Sequence, residues 1–147
     1  MADLLVFQLG GRRYGLASAA VREVVRAVAV VPLPRAPAIV EGVIDYRGTA
    51  VPVLDIRSRF GLPPAPLDVL QHFILAEARR VVAIRADRVT QVVTVSPLEE
   101  QSIEEGAPYV SGVVLLADGL VLIHDLNTFL SADEETTIAT AIEEAGA

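Results

Sequence analysis

The chain has 147 residues, 52% of them hydrophobic, no cysteine and a formal net charge of −7, which suits one domain with a good core or two small barrels sharing an interface. The lack of cysteine excludes disulfides and thiolate metal sites, and the acidic total argues against nucleic acid as the main partner, because neutralising phosphates needs a basic face. Mean hydropathy is high at +0.49, yet apolar runs such as Ala27–Pro34 and Val113–Ala117 are cut by Pro, Arg or Asp well short of a bilayer span, so no direct membrane insertion is expected, and the opening MADLLVFQLGG lacks the basic region of a signal peptide.

Charge is unevenly placed. Residues 1–95 hold eight acids and all twelve basic residues, every one an arginine; residues 96–147 hold eleven acids and no arginine.

Leu4–Leu9 reads as a strand that turns at Gly10-Gly11 and returns over Arg13–Leu16. In Ser18–Arg26, Val21, Val24 and Val25 share a helical face with Ala20, and Ser18 can cap it, so the spacing predicts a short helix. The valines would also suit a strand. On a helix, Glu23 would be an exposed carboxylate. Val28–Leu33 is expected as a strand ending at Pro32 or Pro34, and Ala36–Glu41 as one helical turn stopped by Gly42.

The stretch Gly42–Leu62, GVIDYRGTAVPVLDIRSRFGL, reads as two strands joined at Arg47-Gly48, where Gly48 can take a positive φ. Pro52 cannot donate to a ladder, so a free edge or bulge is expected there. Arg47 is either a solvated turn residue or a guanidinium offered to a partner carboxylate. Pro63–Pro66 is a surface connection and the candidate seam between two halves.

Phe73–Ala76 and Val81–Ile84 form the next predicted hairpin, and Val89–Val95 a further strand. Ser96-Pro97-Leu98-Glu99 reads as a capping box before an acidic loop holding Glu99, Glu100, Glu104 and Glu105. Tyr109–Leu116 and Leu120–Ile123 pair over Asp118-Gly119. Asp125 is placed to cap Leu126–Leu130, and Ser131 with Glu134 forms a second capping box ahead of an acidic C-terminal helix or tail, 131–147. Short strands with frequent turns predict a mainly all-β protein, and the proline break favours two small barrels.

No catalytic constellation is evident. His124-Asp125 could orient a triad, but no nucleophile elbow accompanies it. Asp45, Asp55 and Asp125 could approach one another, but Asp55 is more simply a surface or turn acid. No cofactor motif, metal-ligand spacing or phosphate loop is found.

The Gly42–Leu62 stretch resembles the signature of the CheW-like coupling proteins of bacterial chemotaxis. Gly42, Val43, Ile44, Arg47, Gly48, Val51, Pro52, Val53, Asp55, Arg57 and Phe60 match it, while Asp45 and Tyr46 stand where Asn and Leu are usual. FQLGGRRYGL and Val21-Arg22-Glu23-Val24 match further segments, and in Arg85–Val89 only Asp87 and Val89 do. The resemblance spans about residues 4–130. It implies two five-stranded SH3-like barrels side by side, approximately 14–66 and 67–130, and leaves open whether strand 4–9 joins the second.

It also implies a non-catalytic cytoplasmic adaptor, without cofactor, recruited to membrane-associated receptor arrays. Its partners would be the regulatory domain of a CheA-type histidine kinase and the cytoplasmic tip of chemoreceptors. Receptor-contact positions fall on Val21, Glu23 and Arg47, with Asp45 and Tyr46 as groove neighbours; an apolar barrel edge would serve the kinase. Competing readings are the same module in another chemosensory pathway such as surface motility, a small-barrel nucleic-acid binder, and a hydrolase using Asp45, Asp55 or His124.

Overall fold

A computed structural model describes residues 2–77, 79–96, 100–102, 109–116 and 119–146. Eleven strands lie in the described residues. They are β1 Ala2–Leu9, β2 Arg12–Ala17, β3 Val21–Arg26, β4 Val40–Tyr46, β5 Thr49–Leu54, β6 His72–Glu77, β7 Val81–Ala86, β8 Arg88–Val95, β9 Glu100–Ser102, β10 Val110–Leu116 and β11 Gly119–His124, followed by one helix, α1 Ala132–Ala145.

They form two sheets, one six-stranded in the order β8-β1-β2-β11-β10-β9 and one five-stranded in the order β3-β6-β7-β5-β4. The predicted class, mainly β with short helices and a C-terminal helix, is what the chain adopts; in place of the two expected five-stranded barrels it has two sheets, one of six strands and one of five. The division falls elsewhere than the expected 14–66 and 67–130: β6 and β7 belong with β3–β5, while β1 and β2 belong with β8–β11. The sheets part at Asp87, and Pro63–Pro66 is an internal connection of the five-stranded sheet.

The core has three layers. Leu5, Phe7, Leu9, Tyr14 and Leu16 of one sheet meet Leu54, Ile74 and Ile84 of the other in a central layer. Leu4, Val6, Val95, Val114 and Val121 fill a second cluster drawn from the six-stranded sheet alone, and Ile44, Val51, Val53, Phe73, Leu75 and Ala83 a third from the five-stranded sheet. Each sheet therefore curls over a core of its own and presents its back to the other. Strands β1, β5, β6 and β7 are buried on both faces, which is why they read as continuous apolar runs rather than alternating ones. Each fully buried Leu, Ile, Val or Phe contributes about 1.5–3 kcal/mol.

Several local expectations are corrected. Ser18–Arg26 is not a helix: Ser18–Ala20 makes one 3-10 turn without a side-chain cap, and Val21–Arg26 is β3, because β-branched valines fit the pleat between two half-buried faces. Val28–Leu33 is not a strand; it contributes a single bridge, Val31 to Val43. Of the expected helical turn at 36–41, only Pro37–Val40 closes, Val40 N–H to Pro37 C=O at 2.9 Å, and Val40 and Glu41 already belong to β4. Pro97–Glu99 of the expected box and most of the acidic loop lie outside the described residues, although Glu100–Ser102 is paired as β9.

Pro52 sits inside the sheet opposite Val43. Val43 exchanges its backbone bonds with Val31 instead, at 2.8 and 3.0 Å, so no donor is asked of Pro52, and the ladder to β7 is formed at Val53 and Leu54. This close pass of Val31 explains Gly42, whose φ is +156° and whose added Cβ would lie 2.2 Å from the Val31 carbonyl oxygen. Gly42→Ala is expected to lose about 2–4 kcal/mol in urea unfolding. The same change at Gly48, where a Cβ meets open space, should cost about 1–2 kcal/mol of left-handed strain.

Helix α1 begins with the predicted capping box, Ser131 and Glu134 bonding each other's backbone, and docks through Ile138 and Ala141, both buried. Arg59 grips both oxygens of Glu134 at 2.6 Å, Arg80 meets Glu135 at 2.5 Å, and Arg35 meets Glu144 at 3.2 Å. Burial alone would push the Glu134 carboxyl up, but the Ser131 N–H and Arg59 hold it below the usual range.

Candidate functional site

The β4–β5 hairpin turns with φ of +52° at Arg47 and +84° at Gly48. Two positive values in succession define the type I′ turn that matches strand twist. A left-handed arginine is uncommon. Asp45 holds it there: its Oδ1 accepts from the Gly48 N–H at 2.8 Å, so this carboxylate is engaged with the backbone rather than with Arg47.

Strands β3 and β4 are opposite edges of the five-stranded sheet, yet its curl brings them face to face. Glu23 on β3 is the meeting point. Its Oε2 accepts from the Tyr46 hydroxyl at 2.5 Å and from Arg47 Nη2 at 3.2 Å. The Arg47 guanidinium also lies over the Tyr46 ring, 5.2 Å from its centroid. The hydrogen bond to the Glu23 carboxylate raises the Tyr46 phenol above its ordinary value, because ionising it would set two anions together. Arg22 pairs with Glu77 beside this cluster. The Arg47 side chain is 76% exposed, so its ion pair with Glu23 adds at most about 1 kcal/mol to folding. What the pair does is orient a guanidinium toward solvent.

Of the predicted positions, Glu23, Arg47, Asp45 and Tyr46 are thus assembled within one turn and its facing strand. Val21 is not part of the hydrogen-bonded cluster. A bulge between Val21 and Glu23 shifts the alternation, so Val21 packs with Val24 against the central layer while Val25 packs on the inner cluster. The Tyr46–Glu23 link was not evident from spacing, because it joins non-adjacent strands; the one signal for it was a tyrosine at a position where leucine is usual.

A second polar constellation lies at the seam between the sheets. Arg85, only 2% exposed, meets Glu41 at 2.9 Å, Asp55 at 3.2 Å, Gln71 Oε1 at 3.2 Å and the Ala65 carbonyl at 2.8 Å. Gln71 in turn donates to Asp87 at 2.9 Å, Arg57 pairs with the same carboxylate, and the Gly10 N–H reaches it at 2.8 Å. Burial works to raise the Asp87 carboxyl, but these three donors outweigh it and hold the group low. Glu41 goes the other way: desolvation exceeds the pull of Arg85, and its carboxyl is raised. This network joins the β1–β2 turn to the five-stranded sheet and serves structure.

The hydrolase candidates are likewise occupied. Asp55 and Asp125 cap 3-10 turns by accepting from Arg57 N–H and Asn127 N–H. His124 is 4% exposed, stacked on Phe60 at 4.6 Å and flanked edge-on by Phe7 and Phe129. Burial lowers its pKa to about 3, so it stays neutral and offers no general base near pH 7. Among the described residues no group of three or more His, Asp or Glu side chains could hold a metal, and no helix is long and apolar enough to cross a membrane.

Residues 3–134 match the family model of the CheW-like domain. The chemotaxis protein CheW of Treponema pallidum is 32% identical over 147 residues, covering 93% of this chain and 86% of that protein. The CheW of Rhizobium meliloti is 29% identical over 138 residues, covering 90% and 89%. FrzA of Myxococcus xanthus is 43% identical over 54 residues, 37% of this chain and 34% of its own length. The crystal structure of the scaffolding protein TtCheW from Thermoanaerobacter tengcongensis superposes with a TM-score of 0.82 at 25% identity, covering 90% of each chain.

Proposed function

The chain belongs to the CheW-like family of chemotaxis scaffold proteins, and on that premise we propose that it couples chemoreceptors to a CheA-type histidine kinase from the cytoplasmic side of a receptor array. The observation that supports this reading is the Glu23–Tyr46–Arg47 cluster, an oriented guanidinium and a carboxylate at an exposed turn within the family's motif. An amphipathic helix from a receptor tip offers complementary charge and apolar ridges to such a surface. The role is positional. The adaptor holds kinase and receptor together, so a receptor shift biases the kinase between states, and repeated weak contacts gain from effective concentration. The local likeness to FrzA supports a second reading, the same role in a chemosensory pathway other than the flagellar one.

The test is reconstitution of kinase control with receptor, kinase and adaptor. Arg47→Glu is expected to reduce receptor-dependent kinase activation at least tenfold, with its unfolding midpoint close to wild type. Arg47→Gly, which suits the positive φ at that position, should lose coupling equally and fold at least as well. Coupling of normal strength in both variants would make Arg47 a turn residue only and remove this assignment of the site.

A further inference from the structure

The charges at the β4–β5 turn are unequally spent. Glu23 Oε2 receives two donors, the Tyr46 hydroxyl and Arg47 Nη2. Asp45 is committed to the Gly48 N–H, and Arg22 and Glu77 neutralise each other. Arg47 has five N–H donors, one of them on Glu23, and its side chain is largely in solvent. A partner approaching this surface therefore meets a guanidinium with donors to give and a carboxylate already bonded on the side facing the turn. The residue responsible is Tyr46: its hydroxyl caps Glu23 and its ring supports Arg47 from below. A leucine at this place would do neither, and would leave Glu23 able to receive a partner cation.

Resting on the adaptor reading above, we propose that Tyr46 sets the charge preference of the receptor-facing surface, which takes an acidic side chain presented on a helix and discriminates against a basic one. The discrimination has both a favourable part, a fork-shaped donor set for a carboxylate, and an unfavourable one, a cation held against Arg47 beside a carboxylate whose Oε2 is already spent on two donors.

Two measurements test it. The first uses the chain alone. Absorbance titration of the phenols, taken as the difference between wild type and Tyr46→Phe, isolates Tyr46 from Tyr14, which burial also raises. Tyr46 should titrate above the ordinary tyrosine value of about 10 and fall back toward it in Glu23→Gln. A titration indifferent to Glu23→Gln would show that the cap does not form and would overturn the proposal while leaving the adaptor role standing.

The second uses a soluble helical-hairpin fragment of a chemoreceptor from the same cell, with copies in which each exposed acid is changed singly to lysine. Wild type should bind at least one lysine copy tenfold or more weakly than the parent. Tyr46→Leu should narrow that ratio to threefold or less, and Tyr46→Phe should fall between. Equal binding of all copies by wild type, or an unchanged ratio in Tyr46→Leu, would overturn the charge preference alone. Absence of binding to every copy by folded wild type would overturn the adaptor reading and the preference with it.

Discussion

Arg85→Ala is expected to destabilise the protein by about 3–5 kcal/mol, a large share of the 5–15 kcal/mol that holds a typical domain folded. The guanidinium is almost wholly out of water and is contacted by Glu41, Asp55, Gln71 and the Ala65 carbonyl. Truncation leaves two carboxylates in a half-dry seam without a cation. Glu41 already sits above the usual carboxylate range because burial outweighs Arg85; without Arg85 it is driven further up. Urea unfolding at neutral pH measures the loss, and far-UV circular dichroism shows whether the variant still folds. Glu41→Gln combined with Arg85→Met should recover part of it, since an apolar substitute without an orphaned charge is tolerated better than a broken pair. A loss under 1 kcal/mol in Arg85→Ala would mean that water enters the seam and screens it.

Stability should also fall steadily as pH drops from about 6.5 toward 3, with a slope approaching 1.4 kcal/mol per pH unit, the value for one proton. His124 carries this effect. Its folded pKa is depressed to about 3 from an ordinary 6.5 by burial among aromatic rings, and neither ring nitrogen has a hydrogen-bond partner among the described residues. A base with a lowered folded pKa contributes stability that is complete above the unfolded value and is lost as the unfolded chain takes up the proton first. Glu41 acts with the opposite sign, because a raised carboxyl pKa favours the folded state on acidification, and so partly flattens the slope. Asp87 and Glu134, both lowered, add their own loss as pH falls below about 5. Denaturant unfolding between pH 7.5 and 4.5 should show the slope in wild type and a reduced slope in His124→Phe, whatever that variant's stability at pH 7.5. Equal slopes would place the titrating group elsewhere.

Much of the fold was legible because hairpins announce themselves locally. Gly10-Gly11 and Arg47-Gly48 stand between apolar runs of matched length, and the strands pair across them as the spacing predicts. The Ser131–Glu134 capping box is equally local. Ser18–Arg26 is ambiguous in sequence because valines three and four apart satisfy a helical face and a strand alike, and sheet position decides the outcome. The seam lies away from Pro63–Pro66 for a related reason: prolines mark where chain leaves a sheet, not which sheet it rejoins. At the site, the turn and its arginine were readable, whereas the Tyr46–Glu23 contact depends on the curl of a sheet whose edge strands lie 23 residues apart at these positions. Arg85 stood out in sequence only as an unusual residue, since its partners come from four separate segments.

The nesting of the sheets carries a temporal consequence. The five-stranded sheet is built from one continuous segment, Val21 to Ala86, inserted between the β1–β2 hairpin and the strands that complete the other sheet. On the ribosome, where the N-terminus emerges first, the inserted unit has all its strands before β8 is made. The oldest hairpin must wait for the youngest strands, its edges uncapped throughout, and β2 gains its parallel neighbour β11 only when the polypeptide is almost finished. Such long-range closure is slow compared with local pairing. A nascent chain that ends before Arg88 holds every strand of the five-stranded sheet but only β1 and β2 of the other.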